Sequence, residues 1–246
     1  MNRVERAIIM AAGLGNRMKP VTFETPKPMV KVNGTRMIDT VIQGLRKNEI
    51  DEIYIVVGHL KEQFRVLEKE YEGVKLIENP YYNSCNNISS LYVARDHIEN
   101  AIILDGDQII YNTDVLSSDF DRSGYNCVWC ENRTDEWLLK MENGIVQSCS
   151  RTGGSHGWQL FSVSRWTSED GKKLKRHLEI EFEEKKNRQI YWDDVAMFCY
   201  PHAYELGIKE MNYGDVVEID SLNELITIDS TFQKYINVED GGKNNE

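Results

Sequence analysis

Along the first hundred positions, short apolar runs alternate with helical stripes. Ala7-Ile8-Ile9-Met10-Ala11-Ala12 reads as a buried strand, and the stretch Thr35 to Leu45 puts apolar residues at 37, 38, 41, 42 and 45, the spacing of one helix face. Ile53-Tyr54-Ile55-Val56-Val57-Gly58 is a second buried strand, Phe64, Leu67 and Tyr71 share a face of a second helix, and Val74-Lys75-Leu76-Ile77 is a third strand. Ala101-Ile102-Ile103-Leu104 is a further strand that ends in Asp105-Gly106-Asp107. Strand and helix in alternation predict a parallel sheet with right-handed crossovers.

Between Asn126 and Val163 the pattern changes to short strand-like pieces separated by turns such as Asn143-Gly144, which predicts an antiparallel extension of the sheet. The helix after Ser168 carries Glu179, Glu181, Glu183, Glu184, Lys185, Lys186 and Arg188, a mixture that reads as a solvated face. Val216-Val217-Glu218-Ile219-Asp220 is a last strand, and Ser221 with Glu224 three positions on forms a capping box that opens a helix. The expected organisation is one domain over residues 1–237, followed by a polar tail at 238–246 that is a frayed end or a linker to another protein or domain.

Composition narrows the class. A chain of 246 residues, 41% hydrophobic and 28% charged, suits a globular α/β protein rather than a disordered one. No apolar run approaches the ~18 residues of a membrane span, and the apolar start empties at once into a glycine loop rather than a signal-peptide cleavage site. A cytoplasmic protein without a membrane partner is therefore expected. The odd number of cysteines (Cys85, Cys127, Cys130, Cys149, Cys199) predicts buried reduced thiols, since the Cys127-Val128-Trp129-Cys130 spacing has no second pair to complete a zinc site.

Charge changes the picture at the amino-terminal end. The chain is net −11, which disfavours a nucleic-acid partner, yet residues 1–31 hold six Lys/Arg against Glu5 and Glu24. Within that island Ala11-Ala12-Gly13-Leu14-Gly15-Asn16 follows the first strand, then Arg17 and Lys27. Small residues and glycines let backbone N–H groups approach an anion, and Arg17 and Lys27 add full positive charge. The loop lacks the third glycine of a dinucleotide fingerprint, where Met18 stands, and the Gly-Lys-Ser/Thr of a P-loop.

Further candidates follow in chain order. Six Asn or Ser residues between 83 and 90 exceed what a helix cap needs. Asp105 and Asp107 close a strand at the sheet edge where α/β ligands bind, as metal ligands or as a simple Asp-Gly turn. Asp135-Glu136-Trp137 and Tyr191-Trp192-Asp193-Asp194 set aromatic rings beside carboxylates, a combination suited to a cationic amine.

The segments Ala11-Ala12-Gly13-Leu14-Gly15-Asn16-Arg17 and Thr25-Pro26-Lys27-Pro28 resemble the signature of the sugar-phosphate nucleotidyltransferase superfamily. With the later segments, the chain resembles the bacterial phosphocholine and 2-aminoethylphosphonate cytidylyltransferases over nearly its whole length, from Ala7 to about Leu225. The resemblance implies a Rossmann-like nucleotidyltransferase fold, a mixed and mostly parallel sheet flanked by helices. It also implies transfer of CMP from CTP to a small zwitterionic phosphonate or phosphate, with release of pyrophosphate and with Mg²⁺ as cofactor. It places Asn87 and Ser89 beside the base, makes Asp107 and Asp220 the metal carboxylates with Asp105 in support, and assigns Trp137, Tyr191 and Asp193 to the acceptor's cationic end. Asp194 and the polar loop Thr152-Gly153-Gly154-Ser155-His156-Gly157-Trp158, with Ser155 and His156 as phosphonate contacts, favour 2-aminoethylphosphonate. So do Ile88-Ser89 and Ser164-Arg165-Trp166, where more aromatics are expected for phosphocholine. The alternatives are phosphocholine, a sugar 1-phosphate, or a nucleotide-binding regulator without catalysis.

Overall fold

A computed structural model of the protein describes residues 1–236; the polar tail expected at 238–246 lies outside the described residues. The first strand, β1 (Arg6–Ala11), is flanked by β2 (Glu52–Val57) and β4 (Ala101–Asp105), with β3 (Val74–Glu78) outside β2, and all four run parallel. The resulting order, β3-β2-β1-β4, is that of a Rossmann half-sheet.

These strands are apolar on both faces because both faces are covered. Ala7, Ile9 and Ala11 of β1 pack with Ile38, Val41, Ile42 and Leu45 of helix α1 (Met37–Lys47), the face expected from its spacing. Helix α2 (Arg65–Glu70) lies on the same side, where Phe64 and Leu67 are fully buried and Tyr71 packs at the edge. The alternate residues Ile8 and Met10 face the other layer, made by Leu91 of α3 (Ile88–Val93) and by Leu174 and Leu178 of α4 (Ser168–Glu179).

The antiparallel extension is built on β9 (Gly157–Trp166), which pairs along its whole length with β6 (Gly124–Cys130) on one side and, on the other, with β7 (Leu138–Glu142) at its amino half and β4 at its carboxyl half. A hairpin joins β7 to β8 (Ile145–Ser150), and its turn residues Asn143 (φ 51°) and Gly144 (φ 75°) are both left-handed, as a tight hairpin requires. β10 (Gly207–Glu210) completes the nine-stranded sheet beside β6.

Separately, β5 (Gln108–Ile110) pairs antiparallel with β11 (Val216–Glu218), which feeds α5 (Leu222–Ile228) through the expected capping box of Ser221 and Glu224. This small ribbon brings the residues after β4 to those before α5.

Two expectations are corrected. Glu181 is buried, not on a solvated face: α4 continues into a π-turn, and the Glu181 carboxylate accepts from Lys185 at 2.6 Å and Asn187 at 3.0 Å. Of the cysteines, Cys127 and Cys130 are buried, whereas Cys85, Cys149 and Cys199 are only half-buried. Among the described residues, no helix is long and apolar enough to cross a membrane.

Candidate active site

The loops leaving the carboxyl ends of β1 and β4 bound a cleft of about 660 Å³, closed on its far side by residues of β9, β11 and the segment that holds Tyr191 and Asp193. On the β1 side the wall is Ala11, Gly13, Leu14, Gly15, Asn16 and Arg17. Gly15 adopts φ 63°, and a Cβ there would come within 2.7 Å of the Thr22 methyl group. The Thr22 hydroxyl donates to the Gly15 carbonyl at 2.8 Å and fixes the turn. A Cβ at Gly13, by contrast, meets nothing within 4 Å. Ala12 lies behind the wall, buried, its carbonyl accepting from the His59 N–H.

Opposite this loop, Lys27 sits in a short 3₁₀ turn between Pro26 and Pro28. Its Nζ lies 2.5 Å from Asp107 Oδ2 and 2.8 Å from Asp220 Oδ1, and Arg17 reaches the same Asp220 oxygen at 3.0 Å. Burial alone would depress Lys27, but the two carboxylates outweigh it and hold the ammonium above its ordinary pKa. Burial likewise pushes Asp220 up, and Lys27 and Arg17 reverse that and draw it below the usual carboxylate range. Asp220 is held by the capping box itself, since its N–H donates to Glu224 Oε2 at 2.7 Å.

Asp105 and Glu218 stand beside this charged cluster. Burial raises the Asp105 carboxyl well above its usual range, and Asp107, Glu218 and Asp193 push it further. Glu218 is raised to about 7 by burial and by Asp107, against a 2.8 Å hydrogen bond from Gln108 Nε2 and one from the Ser162 N–H. Glu218 was not singled out in the sequence, where it reads as one position of a strand. The β5–β11 pairing, with Glu218 opposite Gln108, turns it into the cleft. Asn86 and Glu136, which belong to the Asn/Ser and Asp135-Glu136-Trp137 segments of the sequence analysis without being named there as site residues, are further wall residues, as is Ser162, which has no sequence signal of its own.

Two carboxylates that converge on one ammonium also suit a hard divalent cation. Among the described residues no three acidic, His or Cys side chains are arranged to hold a metal alone. Asp107 and Asp220 therefore fit an ion that takes its other ligands from phosphate and water, the usual manner of Mg²⁺.

The far wall carries Asn87, Trp137, Tyr191 and Asp193. Asn87 Oδ1 accepts from the Trp192 N–H at 2.9 Å, and Asn86 Nδ2 donates to the Gln189 carbonyl at 3.1 Å, so the Asn/Ser segment is sewn to the aromatic one. Trp137 meets Tyr191 edge-on, with ring centres 5.9 Å apart. Asp193 is raised to about 7, chiefly by burial, against a favourable Tyr125 hydroxyl.

Several expected residues lie elsewhere. Ser89 is buried beneath the loop, donating to the Asn86 carbonyl at 2.8 Å and accepting from Asn79 Nδ2 at 3.0 Å, so its hydroxyl shapes the segment instead of lining the cleft. Ser155 and His156 are exposed in the β8–β9 turn, outside the cleft walls, where their carbonyls accept from Lys140. Asp194 is buried beside Asp193 but faces away from the cleft, bonded to Arg151 and to the Tyr191 N–H. Arg165 and Trp166 are core residues.

The MobA-like NTP transferase domain model matches residues 7–165. The chain is 37% identical over 225 residues to a 2-aminoethylphosphonate cytidylyltransferase of Lancefieldella rimae, covering 91% of each chain. It is 32% identical to a choline-phosphate cytidylyltransferase of Streptococcus pneumoniae over 89% of this chain and 94% of that one. The solved structure of the CTP:phosphocholine cytidylyltransferase LicC from Streptococcus pneumoniae superposes with a TM-score of 0.86 at 32% identity, over 93% of this chain and 99% of that one. The chain belongs to the MobA-like NTP transferase family, in the branch of the bacterial phosphocholine and 2-aminoethylphosphonate cytidylyltransferases.

Proposed function

We propose that the protein transfers CMP from CTP to 2-aminoethylphosphonate and releases pyrophosphate. One observation carries this reading: a single cleft holds a glycine loop with Arg17 and Lys27 at one end and Asp193 with Trp137 and Tyr191 at the other. The first end suits a triphosphate and the second a small cation, so the reacting phosphate and phosphonate would meet between them.

Both reactants are anions, and the nucleophilic phosphonate oxygen is already ionised near neutral pH. The task of the protein is to cancel repulsion and align the partners rather than to remove a proton. The backbone from Gly13 to Asn16 would cradle the β and γ phosphates, and Arg17 and Lys27 would neutralise charge on the departing pyrophosphate. The Asn87 amide would donate to the base, its oxygen being already engaged. Asp107 and Asp220 would hold Mg²⁺, which when bound supplies Lewis-acid polarisation of the α-phosphate. On ligand entry Lys27 would exchange at least one of these carboxylates for phosphate oxygen. At the acceptor end, Trp137 and Tyr191 would enclose the methylene chain and Asp193 would take the ammonium.

The choice of acceptor rests on Asp193 and on the relative that is 37% identical. Ser155, His156 and Asp194 do not line the cleft and have no part in that choice as direct contacts. A primary ammonium donates hydrogen bonds to a carboxylate, which the quaternary nitrogen of phosphocholine cannot do. Pyrophosphate release, followed with CTP and Mg²⁺ and with each acceptor in parallel, tests the reading. Turnover with 2-aminoethylphosphonate above phosphocholine is expected, and a preference for phosphocholine would transfer the assignment to that acceptor.

A further inference from the structure

A pair of charges that no step above uses braces the aromatic wall from behind. Arg151, in the turn between β8 and β9, donates through Nη2 to Asp194 Oδ1 at 2.5 Å. Its guanidinium lies 3.9 Å from the Phe198 ring centre and 5.7 Å from that of Trp137. Asp194 is only 3% exposed, and its other oxygen accepts from the Tyr191 N–H at 3.0 Å. Trp137 in turn meets the edges or faces of Tyr191 and Phe198 at 5.9 Å and 5.7 Å between ring centres. One guanidinium is thus anchored to a buried carboxylate and seated over two of the three rings of this cluster.

An aromatic face attracts a cation whatever its substituents, and this is how a nitrogen without N–H groups is recognised. Here the rings of Trp137 and Phe198 already lie against a cation belonging to the protein, and neither that cation nor Phe198 lines the cleft. A second cation seated on the same rings would meet like charge. The neighbouring Asp193 carboxylate lies on the cleft side of the same segment and rewards a nitrogen that can donate to it.

We propose that Arg151, anchored by Asp194, is a specificity-determining residue that holds positive charge against the back of the aromatic wall, weakens its attraction for a quaternary nitrogen, and so directs the site to a primary ammonium, which Asp193 also binds through hydrogen bonds. The inference rests on the reading of this cleft as the acceptor site for a cationic phosphonate or phosphate. It assigns the discrimination to a residue that touches neither CTP nor the reacting oxygen.

The test is steady-state kinetics of the full chain and of Arg151→Met, Arg151→Lys and Asp194→Asn with 2-aminoethylphosphonate, phosphocholine and CTP, alongside thermal melts. Arg151→Met keeps the apolar stem and removes the charge. The ratio of kcat/KM for phosphocholine to that for 2-aminoethylphosphonate should rise about two- to fivefold, the size of one partly exposed cation–π contact. The change should come mainly through KM for the acceptors, with KM for CTP unaltered. Arg151→Lys should restore most of the original ratio, and Asp194→Asn should shift it in the same direction as Arg151→Met. A purely structural brace would lower kcat/KM for both acceptors together, and an unmoved ratio in Arg151→Met overturns the inference. If the unsubstituted protein uses neither acceptor, the functional reading fails and this inference with it, a result visible before any variant is made.

Discussion

Lys27 Nζ lies 2.8 Å from Asp220 Oδ1 although 193 positions separate the two residues in the chain. The same ammonium lies 2.5 Å from Asp107, so one cation joins the loop after β1, the end of β4 and the entry to α5. That convergence is the electrostatic centre of the cleft, and its removal should be felt in turnover before it is felt in folding.

Lys27→Ala should lower kcat by about 100-fold or more, the scale seen when one charge-stabilising donor is lost. Asp107 would then lose its cationic partner, and Asp220 would keep only Arg17. Circular dichroism should show the fold retained, and pyrophosphate release measures the loss.

Asp220→Asn removes one of the two carboxylates that would hold Mg²⁺ while leaving the capping box of Ser221 and Glu224 in place. The Mg²⁺ concentration giving half-maximal rate should rise about tenfold or more, and KM for the acceptor should change little. A magnesium titration of initial rates checks both.

The two glycines of the phosphate loop should separate binding from stability. Gly15→Ala forces a Cβ into a left-handed position 2.7 Å from Thr22 and should destabilise the protein by about 1 kcal/mol or more. Gly13→Ala meets nothing within 4 Å in the free protein, so its melting temperature should hold. Its KM for CTP should nevertheless rise, because the added methyl group stands where the triphosphate would approach the backbone.

The cleft carboxylates should also give the free protein a characteristic pH response. Asp193 is raised from 3.8 to about 7 in the folded state, mainly by burial. Between about pH 4 and 7 the folded chain therefore holds a proton that the unfolded chain has released, and stability falls as pH rises through that window, levelling off above it. Asp193→Asn should flatten the decline, with Asp105 and Glu218, raised in the same way, keeping part of it. Denaturant melts at a series of pH values measure the slope.

The parallel half of this fold was legible because its strands and helix α1 bury residues at regular spacing. Ala7 to Ala12 alternates between two layers, and positions 38, 41, 42 and 45 all point to one of them, while Met37 at the helix start packs in a separate cluster with Met18 and Ile219. The phosphate loop was legible for a different reason, since glycine and charge cluster there within a few residues. What escaped depends on register. Asp220 was named through the family resemblance, but Glu218, two positions before it, reads as an ordinary strand residue, and only the pairing of β11 with β5 brings it to the cleft. Asp193 and Asp194 are neighbours, and the local turn that hands Asp194 to Arg151 sends Asp193 the other way. The fate of Ser155 and His156 was set by the direction of the β8–β9 turn, a long-range consequence of how β9 pairs with β4 and β7.

The central claim is that this cleft joins CMP to a small zwitterionic phosphonate. The most direct measurement is ³¹P NMR of the protein with CTP, Mg²⁺ and equal concentrations of 2-aminoethylphosphonate and phosphocholine. The expected result is loss of the CTP resonances with growth of pyrophosphate and of a coupled phosphonate–phosphate pair, ahead of any CDP-choline signal. Persistence of intact CTP with both acceptors unchanged would contradict the account.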